Sequence, residues 1–303
     1  MKLKENNVES LLTAIIPIGN TGGNLELLYS WLPEASKYPI SIIIVHDVLD
    51  NVTGPLLNDL REDFKVLNLT FIEGRFGCPG EARNAGLALA QTDWISFWDH
   101  DDKPILGSIF KSIYEATSED EILIGEFTIY NSIHNSVKKI LVPKPSFETI
   151  AMNPGVWRMV FKRSAIHDLR FTNLKMGEDQ VFLSDIKLPD RRVKFIAGVF
   201  YEYTVGGNNQ LTRDLSKLSN LELATKYIYG NTSKNLSNSL IYFNMHLIIR
   251  QQITLIKNKN MSLRFGALRF LVKLFLKPKS GLFWYNLRSL SLVLMNIKKF
   301  RLK

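Results

Sequence analysis

Four short apolar runs rich in β-branched or aromatic residues recur in the first hundred residues: Leu11 to Ile18, Ile40 to Val45, Val66 to Ile72 and Trp94 to Trp98. Each ends in glycines or in acidic and other polar residues. Between the runs the pattern turns helical. Leu25, Leu28, Leu32 and Ala35 keep a helical spacing ahead of Pro39, Leu56 to Phe64 is amphipathic, and a helix is expected from about Glu81 to Ala90. Runs that are apolar along their whole length mark strands covered on both faces. Strand and helix alternating at this short spacing predict a mostly parallel sheet flanked by helices, an α/β fold whose ligands bind beyond the carboxyl ends of the strands. The polar residues that terminate the runs therefore converge on one edge.

After the fourth run the pattern changes. A helix from about Leu106 to Ala116 is followed by strand-like runs at Glu121 to Tyr130 and Lys138 to Val142, then by a Trp-containing stretch near Asn153 to Arg163. A helix running through Ile186 and a last strand at Val193 to Tyr203 complete a second, mixed portion. Beyond about Asp214 the chain reads as helical throughout. With 303 residues, 46% of them apolar and 22% charged, it can bury a sizeable core. No run of about 18 uncharged apolar residues argues for a membrane span, since Leu282 to Ile297 is broken by Asn286, Arg288 and two serines. The first apolar run follows Glu5 and Glu9 and contains Pro17, unlike a secretory signal. Cys78, the one cysteine, cannot form an internal disulfide, and Cys and His are too few for a zinc pattern. A cytoplasmic location is expected.

The net charge of +9 divides sharply after Glu222, the last acidic residue. Residues 1–222 carry 23 Lys and Arg against 29 Asp and Glu, a net −6, whereas residues 223–303 carry 15 Lys and Arg and no acid. A basic tail on an acidic body suggests that the tail faces something anionic. Met261 to Leu276 is amphipathic, and Leu282 to Leu302 mixes Phe283, Trp284 and Tyr285 with basic residues. This fits a helical segment, residues 257–303, lying in an anionic membrane interface on the inner face. It fits equally helices that pack on the body of the chain or on a second subunit. No recognition motif accompanies the charge, so nucleic acid is not expected as a partner.

Three constellations carry possible chemistry. Asp99-His100-Asp101-Asp102 leaves the end of the fourth run, and carboxylates this close repel one another unless a cation, a basic partner or solvent compensates them. They suit a hard divalent ion such as Mg²⁺ or Mn²⁺, or else form a solvated turn in which Asp102 caps the next helix. Gly77 to Gly86, reading GCPGEARNAG, is a flexible loop opening a helix, where Arg83 could reach a phosphate or a base, or pair with a nearby acid. It lacks the dinucleotide and P-loop fingerprints, and Gly19 to Gly23 does not supply them. In Gly177-Glu178-Asp179-Gln180 the acids either favour a first helical turn or put a general base at the mouth of the sheet.

Taken in order, TAIIPIGN at 13–20, SIIIVHD at 41–47, GCPGEARNAGLALA at 77–90, WISFWDHDD at 94–102 and GEDQVF at 177–182 resemble glycosyltransferase family 2. VWRMVFKRSAI at 156–166 and RFTNLKMGED at 170–179 extend the resemblance, which covers about residues 11–213. It implies a GT-A (Rossmann-like) catalytic domain over residues 1–213, with a donor half to about 102 and an acceptor half after it, and a basic helical region over 214–303. It further implies an inverting transferase that moves a sugar from a nucleotide-sugar donor, UDP-linked above all, to a glycan or lipid-linked acceptor in cell-surface polysaccharide synthesis. By the same resemblance Pro17 and Gly19 line the donor pocket, Asp47 contacts the base and Arg83 lies near base or diphosphate. Asp99 and Asp101, the ends of a D-x-D element, serve ribose and a divalent metal (Mn²⁺ or Mg²⁺), and Asp179 is the catalytic base. The chain departs from the family where V-D-D-G-S becomes Val45-His46-Asp47-Val48-Leu49, where His100 enters D-x-D-D, and in Tyr201 to Thr212, which lacks the Q-x-x-R-W element of processive polymerases. A catalytically silent glycan-binding or scaffolding protein of the same fold is the alternative reading.

Overall fold

The computed structural model describes residues 9–19, 24–134, 136–140, 147–206, 215–257, 260–276, 278 and 281–297. Asn20 to Gly23, Gln210 to Thr212, Lys277 and residues 298–303, all within segments read above, lie outside the described residues. By its internal contacts the chain forms two compact units. One comprises Met1–Leu141, Val156–Asp168 and Lys194–Asn209; the other comprises Val142–Gly155, Leu169–Val193 and Gln210–Lys303.

The first unit opens with β1 (Leu12–Ile18), α1 (Glu26–Ala35), β2 (Ile40–Asp47), α2 (Thr53–Asp63), β3 (Leu69–Gly74), α3 (Pro79–Leu89) and β4 (Trp94–Phe97). β1 pairs in parallel with both β2 and β4, and β2 with β3. Seven consecutive buried residues in β1 explain why its run is apolar throughout. The strand expected at Val66 begins at Leu69, where pairing with Ile42 starts, and the second run extends to Asp47 because His46 and Asp47 stay paired with Glu73 and Gly74. Helix α3 lies close on β1, since a Cβ at Gly86 would come within 2.5 Å of Ile15 Cγ2.

The remaining strands are β5 (Lys103–Pro104), β6 (Ile122–Asn131), β7 (Ser136–Ile140), β8 (Met159–Lys162) and β9 (Val193–Val205), with α4 (Leu106–Tyr114) after β5. The sheet order is β3-β2-β1-β4-β8-β6-β9-β5, with β7 on β6. The parallel half thus occupies one side. β8 pairs antiparallel with both β4 and β6, and β5 antiparallel with β9, which gives the second portion its mixed character. One core runs under the sheet, where Leu28, Trp31 and Leu32 of α1 and Ile109 and Phe110 of α4 meet Ile16, Ile42 and Trp98.

The second unit is helical among its described residues: α5 (Phe147–Met152), α7 (Glu178–Asp185), α8 (Ser219–Asn231), α9 (Asn238–Ile256), α10 (Met261–Leu276) and α11 (Phe283–Ile297). The short α6 (Arg163–Ile166) belongs to the first unit. α9 is buried around most of its circumference, and α5, α8, α10 and α11 pack on it. Two of its buried amides, Gln251 and Gln252, tie it to neighbouring helices. Gln251 Nε2 donates to Gln180 Oε1 at 3.0 Å, Thr225 Oγ1 to Gln251 Oε1 at 2.6 Å, and Gln252 Nε2 to Thr225 Oγ1 at 2.7 Å, which fixes α7, α8 and α9 to one another. No helix among the described residues is long and apolar enough to cross a membrane.

Candidate active site

The carboxyl ends of β1, β2 and β4 form the edge toward which the sequence pointed. Pro17 is buried in β1 opposite Val45, a place that costs the ladder one donor. Gly19 follows it, with Leu49 Cδ1 3.5 Å from where a Cβ would stand. Asp47 ends β2. Its two carboxylate oxygens accept the backbone N–H groups of Phe76 and Gly77, each at 2.8 Å, so this residue shapes the loop that enters α3. Gly77 there holds φ +75°, a conformation that favours glycine. Cys78 caps α3, its Sγ accepting the Glu81 N–H at 3.5 Å, and Pro79 follows at the first helical position.

Arg83, the fifth residue of α3, is buried and donates from Nη2 to Asp99 Oδ1 at 2.8 Å. Of the two roles the sequence left open for Arg83, pairing with an acid is therefore present, and the acid is a member of the D-x-D element itself. Asp99 is held from a second direction. Its N–H donates to the Tyr201 hydroxyl at 2.9 Å, and that hydroxyl lies beside the carboxyl of Asp102. Asp102 Oδ1 accepts the Thr204 N–H at 2.7 Å.

Asp102 is not in a solvated turn and does not cap α4. It is fully buried, and the residue at the α4 cap position is Ile105. Burial and the neighbouring Asp101 and Asp99 hold its carboxyl well above the usual carboxylate range, and Tyr201 is likewise pushed up by burial and by the same three acids. Trp157 stacks on Tyr201 and Tyr203, at 4.7 and 5.4 Å between ring centroids, and backs this arrangement from the apolar side. Neither Asp102 nor Tyr201 stands out in the sequence as a structural pair. The signal available was the acid in the fourth position of D-x-D-D together with a Tyr in a strand otherwise expected to be core.

Asp101 is half-buried, and burial raises its carboxyl; His100 pulls it back, and Asp99 adds a smaller push upward. Among the described residues no group of three His, Cys, Asp or Glu side chains stands ready to hold a metal. Asp99 and Asp101 nevertheless fit a divalent ion of the kind bound by one or two carboxylates and completed by substrate phosphates and water. The desolvation that raises Asp101, and the smaller repulsion from Asp99, are both offset by such a cation.

Asp179 belongs to the second unit. It lies in the first turn of α7, behind Gly177 at φ +89°, and its Oδ1 accepts the Gln180 N–H at 2.8 Å. Glu178 beside it is buried, and Phe182 stacks on Phe171 at 4.2 Å, so the turn that carries Asp179 is firmly seated within its own unit. The first unit thus gathers Asp47, Arg83, Asp99 and Asp101 at one sheet edge.

A mixed α/β sheet with helices on its faces and paired carboxylates at the strand ends defines the GT-A class of glycosyltransferase folds. A family model described as Glycosyl transferase family 2 matches residues 13–168, just over half of the chain, and the chain belongs to this family. S. aureus TarS residues 1–349, solved with UDP-GlcNAc, is similar over 95% of this chain and 91% of that one, with TM-score 0.66 and 15% identity. The mannosyltransferase PcManGT from Pyrobaculum calidifontis, solved with GDP-Man and Mn²⁺, is similar with TM-score 0.56 and 12% identity, over 97% of this chain and 88% of that one. In sequence the chain is 21% identical to the glycosyltransferase GlyA of Streptococcus pneumoniae over 220 residues, 65% of this chain but only 31% of GlyA. It is 20% identical to GlyG of the same organism over 217 residues, 65% of this chain and 71% of GlyG.

Proposed function

We propose that this chain transfers a sugar from a nucleotide-sugar donor, UDP-linked above all, to a hydroxyl of a glycan or lipid-linked acceptor, with inversion at the anomeric carbon. The observation that carries the reading is the ion pair of the buried Arg83 with the partly exposed Asp99 at the ends of the parallel strands, beside Asp101 and next to the loop that Asp47 shapes. A guanidinium and a pair of carboxylates at one strand edge suit a diphosphate and a ribose. The UDP-GlcNAc, UDP and GDP-Man bound by structural neighbours support the donor class.

In this reading Pro17 and Gly19 line the donor pocket, and Asp47 contributes to the base site both directly and by fixing the loop at Phe76 and Gly77. Arg83 neutralises negative charge near the diphosphate and orients Asp99. Asp99 and Asp101 would hold a Mg²⁺ or Mn²⁺ ion, which when bound stabilises charge on the departing diphosphate as a Lewis acid. Asp179 is assigned as base by its match to the family's E-D pair. It takes the proton of the acceptor hydroxyl as the oxygen bonds C1 and the C1–diphosphate bond breaks on the opposite face. A base in this role contributes about 10²–10⁴-fold. The finer placement is in cell-surface polysaccharide synthesis, with residues 257–303 holding the enzyme at an anionic membrane surface.

The test is a thermal-shift screen of UDP-, GDP- and dTDP-sugars with Mn²⁺, followed by transfer assays. Asp179→Asn is expected to abolish transfer while leaving donor affinity nearly unchanged, and a variant that turns over at the wild-type rate would remove Asp179 from the role. A chain that binds none of these donors would leave the non-catalytic glycan-binding alternative standing.

A further inference from the structure

We infer that α10 enters an anionic lipid surface along one defined face, the stripe Met261, Phe265, Leu268, Val272 and Leu276. The inference rests on the membrane placement proposed above and names the residues that would insert. At about 100° per residue these five positions fall within an arc of roughly 80°. Their side chains are exposed to 53%, 61%, 44%, 54% and 76% respectively. A different arc of the same helix serves the unit's own core, where Ala267 and Leu274 are buried against Leu255 and Ile249 of α9. A helix that only packs on its own domain needs one apolar face, and α10 has a second.

Charge marks what covers that second face. Arg264 lies at one edge of the stripe and Arg269 and Lys273 at the other, all exposed. Basic side chains flanking an apolar arc can lay their stems along acyl chains and keep their charges among headgroups. Phe283 and Trp284, exposed at the start of α11, add aromatic side chains of the type that collects at membrane interfaces. Glu222 packs against α10 at Gly266, beyond Lys273 and outside the stripe, and no acid follows it in the sequence. Two copies meeting through this face would bring cation against cation, whereas an anionic bilayer complements the apolar arc and both of its charged edges.

The experiment is co-sedimentation of the full chain with vesicles of phosphatidylcholine alone and of phosphatidylcholine and phosphatidylglycerol in equal parts. Binding to the anionic vesicles is expected, and neutralising Arg269 and Lys273 together (R269Q/K273Q) should weaken it roughly tenfold or more. Leu268→Glu with Val272→Glu should abolish binding, with circular dichroism and nucleotide-sugar thermal shifts unchanged. No binding by the wild-type chain overturns both the membrane placement and the stripe. Binding that survives L268E/V272E overturns the stripe alone. A concentration-dependent dimer in the absence of lipid, dissolved by L268E/V272E, would give the face to a second copy instead. Donor binding is read separately, so a failed glycosyltransferase assignment shows itself in the thermal shift and not in the pellet.

Discussion

At the scale of single residues the site depends on a side chain outside the D-x-D element. The Tyr201 hydroxyl accepts the Asp99 N–H beside Asp102, and so joins the D-x-D loop to β9. Removing it by Tyr201→Phe leaves the Asp99 N–H short of its partner, which should cost about 1–3 kcal/mol of stability by urea denaturation. It should also weaken donor binding more than it lowers the turnover of bound substrate, because the loop loses its position while Asp179 is untouched. A variant with unchanged donor affinity would show that the clamp stabilises the fold alone. A second buried group sets a pH dependence. His246 is pushed below its ordinary value of 6.5 chiefly by burial and, to a smaller extent, by Arg288, against opposing pulls from the Tyr242 carbonyl and Glu148. Because the folded state favours the neutral imidazole, its contribution is intact above the unfolded value and is lost as pH falls from about 6.5 toward the lower folded value. Between about pH 7.5 and 5.5 the urea midpoint of His246→Gln should therefore fall less than that of the wild type.

At the scale of elements, packing reverses the sign of a familiar substitution. A glycine inside a helix ordinarily loses about 1 kcal/mol against alanine. At Gly86 the added Cβ would meet Ile15 Cγ2 at 2.5 Å and Val45 Cγ2 at 3.3 Å, and α3 would have to lift from β1. Overpacking of this kind costs about 1–3 kcal/mol, so Gly86→Ala should destabilise. Gly230 in α8 has nothing within 4 Å of its Cβ position, and Gly230→Ala should stabilise by about 0.5–1 kcal/mol. The pair of urea midpoints moving in opposite directions is the check. The same contrast explains what could be read from the sequence. β1, β2 and β4 were legible because strands covered on both faces are apolar along their whole length. β8 was not, being four residues whose strand character comes from pairing with β4 and β6 across the sheet. β5, two residues long, exists only through its pairing with β9. The carboxylates of the site were legible as a cluster, but burial separates their roles: Asp102 is sealed against Tyr201 and Thr204 while Asp101 stays partly open, and sequence spacing carries no information on burial.

At the scale of the whole molecule the charge asymmetry divides chemistry from location without making the basic region dispensable. The −6 portion holds every carboxylate proposed for donor, metal and base, and the +15 portion holds none. Yet α10 and α11 are not an appendage. Ala267, Leu274 and Leu282 are buried to 1% exposure or less, and Asn286 Nδ2 donates to the Leu274 carbonyl at 2.8 Å. Through Leu274 and Ala267 the pair covers Ile249 and Leu255 of α9. Fully burying one leucine or isoleucine is worth about 1.5–3 kcal/mol, so cutting the chain after Lys257 removes several kcal/mol from a total of about 5–15. The truncated chain should unfold at a markedly lower urea concentration and bind a hydrophobic dye. L268E/V272E, which alters only exposed positions, should stay within about 0.5 kcal/mol of the wild type. Equal midpoints for the truncated and full chains would show that the two helices add nothing to the stability of the rest of the fold. A truncation midpoint well below that of L268E/V272E would show that the two helices seal α9 through their buried residues, a role separate from whatever their exposed face binds.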